Sequence, residues 1–249
     1  MKKTFLLLFI AAGFVTVANA QTKSITVKGG YVSARQNWNT ERLEFNYFPG
    51  TKMKAVNGFT AGAAFNLPIK RITNFSVQPE LLYTQKGFGV AGSEGINSAK
   101  DIFHINYINL PLLAKYNIAK NKFGFFANLG PSFGYALNGK YSSDRTGDGV
   151  ESNVSGKIKF GKDAPADYNG NDAYIAKDDV RRFDVGAVAG IGASYKVGKG
   201  SIQLEARYEQ GFTNFSKKDP AFGNDKSGSF LRSKNSAFSV MLGYAISIK

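Results

Sequence analysis

The stretch "IQLEARYEQGF", residues 202–212, places three side chains of opposite charge two positions apart: Glu205, Arg207 and Glu209. A guanidinium flanked by carboxylates can form charge-assisted hydrogen bonds to both, and residues two apart on a strand share a face. Ile202, Leu204, Ala206, Tyr208 and Phe212 fall on the opposite face, with Gln210 as the exception. Glu80 and Lys115 occupy polar positions in two other segments that alternate in the same way. If these positions are enclosed, the charges must pair or meet water, because an unpaired buried charge is costly. The expected chemistry is a structural charge network of Glu80, Lys115, Glu205, Arg207 and Glu209. No catalytic residue, metal ligand or cofactor is expected.

Other reactive patterns are sparse. Nucleophilic catalysis needs a base beside a hydroxyl or thiol, and the chain holds one histidine, His104, and no cysteine. Ser98 is the nearest candidate hydroxyl on the N-terminal side of His104, but no motif joins the two. An interfacial histidine with a local hydrogen bond is the expectation. Asp144, Asp148, Asp163, Asp167, Asp172, Asp178 and Asp179 crowd residues 138–181. Calcium takes clustered carboxylate oxygens, yet "DRTGDG" does not match a calcium-loop spacing and lysines are interspersed. A solvated loop is expected there.

The elements that must position these residues are strands. Eight segments alternate at period two: 24–36, 56–66, 73–86, 103–117, 122–137, 182–197, 201–214 and 236–248. In "FSVQPELLYTQ", Phe75, Val77, Pro79, Leu81 and Tyr83 oppose Ser76, Gln78, Glu80 and Thr84. In "SAFSVMLGYAISI", Phe238, Val240, Leu242, Tyr244, Ile246 and Ile248 oppose Ala237, Ser239, Gly243, Ala245 and Ser247. One face is continuous, apolar and flanked by aromatics; the other is small, polar or charged. The connections alternate in length, short at 67–72, 118–121 and 198–200, and long at 37–55, 87–102, 138–181 and 215–235. Tight turns at one end and long loops at the other belong to up-and-down barrels that cross a membrane. The span from Phe75 to Tyr83 is roughly 26 Å along a strand, enough for an apolar band between aromatic girdles. The fold class expected is an all-β, eight-stranded antiparallel transmembrane β-barrel, whose lumen side chains fill. Pro79 and Pro111 lie inside strands, where each forfeits a ladder bond unless the strand bulges.

The N-terminus fits export. Lys2 and Lys3 precede an apolar run that ends at Ala18-Asn19-Ala20, the layout of a cleavable signal peptide over residues 1–20. The barrel domain is then 21–249. The formal charge of +14 falls to +12 without Lys2 and Lys3, which suits anionic lipid headgroups or surface polysaccharide, and equally solvated loops. The expected location is the outer membrane. Expected partners are its lipid and lipopolysaccharide and a protein met by the outer loops, with no nucleic acid.

Several segments together resemble a known family. "FSVQPELLYTQKGF", "YINLPLLAKYNI", "FANLGPSFGYAL", "DVGAVAGIGASY", "LEARYEQGFTNF" and "VMLGYAISI" are similar to the PorT-type outer-membrane β-barrels of Bacteroidota. The resemblance runs from about Thr26 onward and is most specific at Pro79-Glu80-Leu81-Leu82-Tyr83 with Lys86-Gly87, and at Leu110-Pro111-Leu112-Leu113-Ala114-Lys115-Tyr116. It implies an eight-stranded barrel in the outer membrane, and makes both strand prolines family features. The chain closes on Ile248-Lys249, without the terminal aromatic that many proteobacterial barrels carry. The function expected is a non-enzymatic structural or adaptor barrel. A component of type IX secretion, a lipid-modifying enzyme and a soluble periplasmic binding barrel are the alternatives.

Overall fold

A computed structural model describes residues 23–37, 51–69, 72–166, 168, 170–175, 180–215 and 233–248. Residues 1–20, expected to be a signal peptide, therefore lie outside the described residues, as do most of the connections 37–55 and 215–235. Eleven strands are present in the described chain: β1 (Ser24–Asn37), β2 (Lys52–Lys54), β3 (Val56–Pro68), β4 (Phe75–Glu94), β5 (Asn97–Lys120), β6 (Phe123–Gly147), β7 (Val150–Phe160), β8 (Ala173–Ile175), β9 (Phe183–Val197), β10 (Gly200–Gly211) and β11 (Lys234–Ser247). Eight of them close a ring in the order β1, β3, β4, β5, β6, β9, β10, β11. All ring pairs are antiparallel. The first and last strands seal the barrel over their full length, from Ser24 opposite Ser247 to Asn37 opposite Lys234. The fold is an eight-stranded antiparallel β-barrel.

Alternation fixes which face is wet. Val27, Leu81, Leu110, Leu129, Ile191, Leu204 and Leu242 all point outward and are exposed, whereas Leu113 and Met241 point into the lumen and are buried. An exposed apolar surface of this extent has no place in water. Aromatic pairs stand at both ends of the outer wall. Phe75–Tyr116 and Phe123–Tyr195 lie near the short turns, with ring centroids 4.9 Å and 4.8 Å apart. Phe59–Tyr83 and Phe133–Phe183 lie toward the other end, at 5.6 Å and 6.5 Å. That pattern matches the girdles of a membrane barrel.

The tight turns follow from residues that accept a left-handed backbone. Asn121 (φ 58°) and Gly198 (φ 59°) reverse the chain at the short-turn end. Asp148 (φ 50°) and Gly149 (φ 80°) do so at the far tip of β6 and β7.

One expectation needs correction. The segments 87–102 and 138–181 are largely strand, not loop: β4, β5 and β6 run past the barrel, and β7 and β8 add to their sheet. The ladder carries them outward because each strand pairs with the next, whatever its hydrophobic pattern. The strands do not bulge at their prolines. Register holds across Pro79 opposite Leu112 and Pro111 opposite Ser132, with the ladder interrupted beside each. The bulge lies elsewhere, where Leu137 is inserted opposite Asn106 and Tyr107. Arg182 donates to the carbonyls of Ala136 (2.9 Å) and Leu137 (3.3 Å), satisfying backbone that the bulge exposes.

Candidate functional site

The lumen is filled in three tiers. Nearest the short turns, Lys28 donates from Nζ to Glu80 Oε1 (2.6 Å) and Glu205 Oε2 (3.0 Å). Arg207 forks between the same two carboxylates. Its Nη1 and Nη2 reach Glu80 Oε2 (2.7 Å) and Oε1 (3.0 Å), while Nε and Nη2 reach Glu205 Oε1 at 2.9 Å and 2.6 Å. Gln78 donates to Glu80 (2.6 Å) and Asn128 to Glu205 (2.7 Å), so both carboxylates are held by cations and neutral amides together. Small residues on β9 make room. A side chain at Gly190 would meet Asn128 Oδ1 at 2.6 Å and Glu205 Oε1 at 3.1 Å, and one at Gly192 would strike the Phe126 ring.

The second tier lies further out. Lys86 donates to Glu209 Oε1 (2.7 Å), which also accepts from Ser132 (3.1 Å). Asn235 donates to Asp184 Oδ2 (2.8 Å) and to the Tyr107 hydroxyl (3.3 Å), and it accepts from Gln36 (2.9 Å). A void of about 20 Å³ touches Arg207 and Glu209 between the tiers. That is about the space of one water.

Above this, at the outer mouth, Phe88, Val90, Ile105, Tyr107, Ala136, Ile158 and Phe160 form a buried apolar cluster, with Met53, Phe103, Ile175 and Phe215 packed against it. Ile158 and Phe160 belong to β7, so the outer hairpin packs against the mouth of the barrel it grows from. Lys159 pairs with Asp172 at 2.8 Å beyond the mouth. The Lys159 hydrogen bond, aided by the Lys157 backbone N–H, holds the Asp172 carboxyl below its ordinary range.

Of the five residues singled out by sequence, Glu80, Glu205 and Arg207 meet in one cluster. Glu209 is in the second tier and pairs with Lys86, not with Arg207. Lys115 is buried but pairs with no carboxylate. Its ammonium donates to Gln78 Oε1 (3.0 Å) and sits 3.9 Å from the Phe126 ring centroid, so an amide and an aromatic face solvate it. Lys28, Lys86 and Asp184 escaped the sequence list, although the signal was present. Lys28 shares the inward face of its strand with Thr26 and Val32, and Lys86 shares that of its own with Glu80 and Thr84.

The remaining candidates stand apart. His104 Nε2 lies 3.2 Å from the Asn57 carbonyl on the outer wall. Ser98 is near the hairpin tip, opposite Ser93 and Thr146, roughly 20 Å up the strand from His104, so the two do not form a couple. Asp144 faces Asn153, Asp148 makes a turn and Asp172 binds Lys159. Asp167, Asp178 and Asp179 lie outside the described residues. Among the described residues no three His, Asp or Glu side chains are placed to hold a metal ion.

Comparison with known proteins places this geometry. The outer membrane protein β-barrel domain family matches residues 19–217. Among solved structures, the outer membrane protein OprG from Pseudomonas aeruginosa is 12% identical, with 94% of this chain and 100% of that one covered and a TM-score of 0.45. Neisserial surface protein A is 10% identical, covering 92% and 100%, with a TM-score of 0.42. Ail, the attachment invasion locus protein of Yersinia pestis, is 14% identical, covering 91% and 100%, with a TM-score of 0.35. No curated protein sequence matches the chain significantly.

Proposed function

This chain belongs to the outer membrane protein β-barrel domain family, and we propose that it serves that membrane as a non-enzymatic platform whose outer sheet binds a protein partner. It is an outer-membrane β-barrel. The observation that carries the reading is the sealed mouth: Ile158 and Phe160 of the outer hairpin pack into the apolar cluster above the charged tiers. Among the described residues, the projecting sheet of β4 to β7 is then the part that reaches furthest outward. The test keeps the seal and removes the projection. Residues 143–154 are replaced by an Asn-Gly turn, which suits a two-residue hairpin, with Tyr141, Ile158 and Phe160 retained. Cross-linking in intact outer membranes should recover a partner with the full chain, and about ten-fold less of it with the shortened one. Equal recovery would end the platform reading.

Within the family, the Pro79-Glu80-Leu81-Leu82-Tyr83 and Leu110-Pro111-Leu112-Leu113 segments support a PorT-type branch. A part in type IX secretion rests on that likeness alone, and normal export of that system's cargo in a deletion strain would dismiss it. Catalysis is the weaker reading, because His104 meets a backbone carbonyl and not a nucleophile. Phospholipid and lipid A hydrolysis assays on His104→Ala should match the unaltered protein.

A further inference from the structure

The outer wall changes character row by row as β4, β5 and β6 leave the membrane. Tyr83, Ile108 and Tyr135 lie side by side in the register. The next row out, two residues along β4 and β5 and three along β6 because of the bulge, is Gln85, Asn106 and Asn138, joined by amide hydrogen bonds of 3.2 Å and 2.7 Å. Another two residues on, Gly87 and His104 are followed by Lys140 on β6. The sequence aromatic, amide, basic marks the passage from hydrocarbon to headgroup. Each row is roughly 7 Å along the strand from the last, so the basic row stands within headgroup reach of the aromatics.

A groove of about 420 Å³ opens at this level, lined by Lys54, Asn57, Gly89, Lys100, Ile102 and His104. Its floor is low because β4 offers Gly87, Gly89 and Ala91 on this side, between the longer residues of β2 and β5. His104 leans across Gly87 to reach the Asn57 carbonyl. Lys54 and Lys100 make no ion pair among the described residues. Asp101, also at the groove, is bonded by Arg145 from β6 at 3.2 Å, and Asp144 stands opposite Lys100 in the register without pairing to it.

We propose that this groove and the adjoining Lys140 form a binding site for the phosphate group of an outer-leaflet lipid headgroup. Resting on the outer-membrane reading above, the proposal gives the basic charge of the chain a place and a ligand class. Lys54 and Lys100 line the groove on either side of its glycine floor, and Lys140 stands one strand further on beside His104, an array of cations that suits a compact dianion. The apolar wall beyond the amide row accepts the acyl chains of the same molecule, and this selects a lipid over a free anion. Surface lysines near a membrane gain from anionic headgroups in the same way.

The test uses the full chain, folded in neutral detergent, with native mass spectrometry reading bound lipid. The probes are bisphosphorylated lipid A and the same lipid after enzymatic dephosphorylation. The unaltered protein should favour the phosphorylated lipid by about ten-fold or more. The Lys54→Gln, Lys100→Gln, Lys140→Gln variant should lose that preference, whereas Lys120→Gln, Lys199→Gln at the short-turn end should keep it. No preference in the unaltered protein, or an equal loss in both variants, overturns the site. Millimolar inorganic phosphate that erases the preference would make it a site for a free anion and overturn the lipid assignment. Heat-modifiable migration confirms that each variant is folded. Absence of the protein from outer-membrane fractions would instead defeat the reading on which the site rests.

Discussion

Arg207 is the residue on which most of the lumen depends. Its guanidinium meets both Glu80 and Glu205, and the only other cation that reaches those carboxylates in the described structure is Lys28. Arg207→Ala therefore leaves two enclosed carboxylates sharing one ammonium. Breaking a buried ion pair from one side costs about 3–5 kcal/mol. Urea unfolding in detergent should show that loss, while Lys199→Ala in an exposed turn should stay within about 0.5 kcal/mol of the unaltered protein. Equal midpoints would mean the carboxylates are solvated after all. Gly190 makes a second test of the same cluster. Gly190→Ala forces a methyl against Asn128 and Glu205, and overpacking of this kind costs about 1–3 kcal/mol. These residues were partly legible in the sequence. Period-two parity identifies which side chains point inward, and it places Glu80, Glu205 and Arg207 correctly. It does not identify who meets whom, because partners such as Lys28 and Glu205 are 177 positions apart and meet only through the stagger of a closed barrel. That is why Glu209 finds Lys86 and why Lys115 finds an amide and a ring.

At the scale of elements, the barrel strands and the outer sheet obey different rules. The eight barrel strands were readable because one face meets lipid and the other an enclosed polar lumen. The outer parts of β6 and β7 carry no such contrast. Lys140, Ser142 and Asp144 alternate with Tyr141, Ser143 and Arg145, so both faces read as polar. The one local signal was Asp148-Gly149, a pair suited to a tight hairpin turn. What holds this hairpin down is Ile158, nearly inaccessible in the mouth cluster. Ile158→Ala should loosen it by about 2–5 kcal/mol, read as faster tryptic cleavage at Lys157 and Lys159 with the barrel itself still heat-modifiable. Unchanged cleavage would mean the hairpin is held by something other than the seal. The Lys159–Asp172 pair adds a pH dependence. The Asp172 carboxyl is depressed by that contact, so its stabilising contribution is complete above the ordinary carboxylate value of about 4. It falls away as the pH drops below that. Protection of the 157–175 segment from a protease active in acid should decline only as the pH falls below about 4, the ordinary carboxylate value. Asp172→Asn should remove this part of the decline, and an identical decline in the variant would rule the pair out as its source.

For the whole molecule, the charges and the seal answer one another. Within the barrel, the described cations Lys28, Lys86, Lys115 and Arg207 are matched in number by Glu80, Glu205, Glu209 and Asp184, and Asp101, buried further out, pairs with Arg145. A balanced interior needs no counter-ions from solution. The outer sheet packs apolar side chains over the mouth. On the reading proposed above, this arrangement makes a fold that at larger strand numbers encloses water into a plugged post in the membrane. The alternation in residues 202–212 has the same explanation: Ile202, Leu204 and Tyr208 are exposed to lipid, and Glu205 and Arg207 are enclosed. The most direct measurement is single-channel recording of the purified protein in planar bilayers, with insertion verified by heat-modifiable migration of the recovered protein. The plugged barrel predicts no steady conductance above the bare bilayer. A stable, large conductance from the folded protein would contradict it and show that the lumen is an open water path.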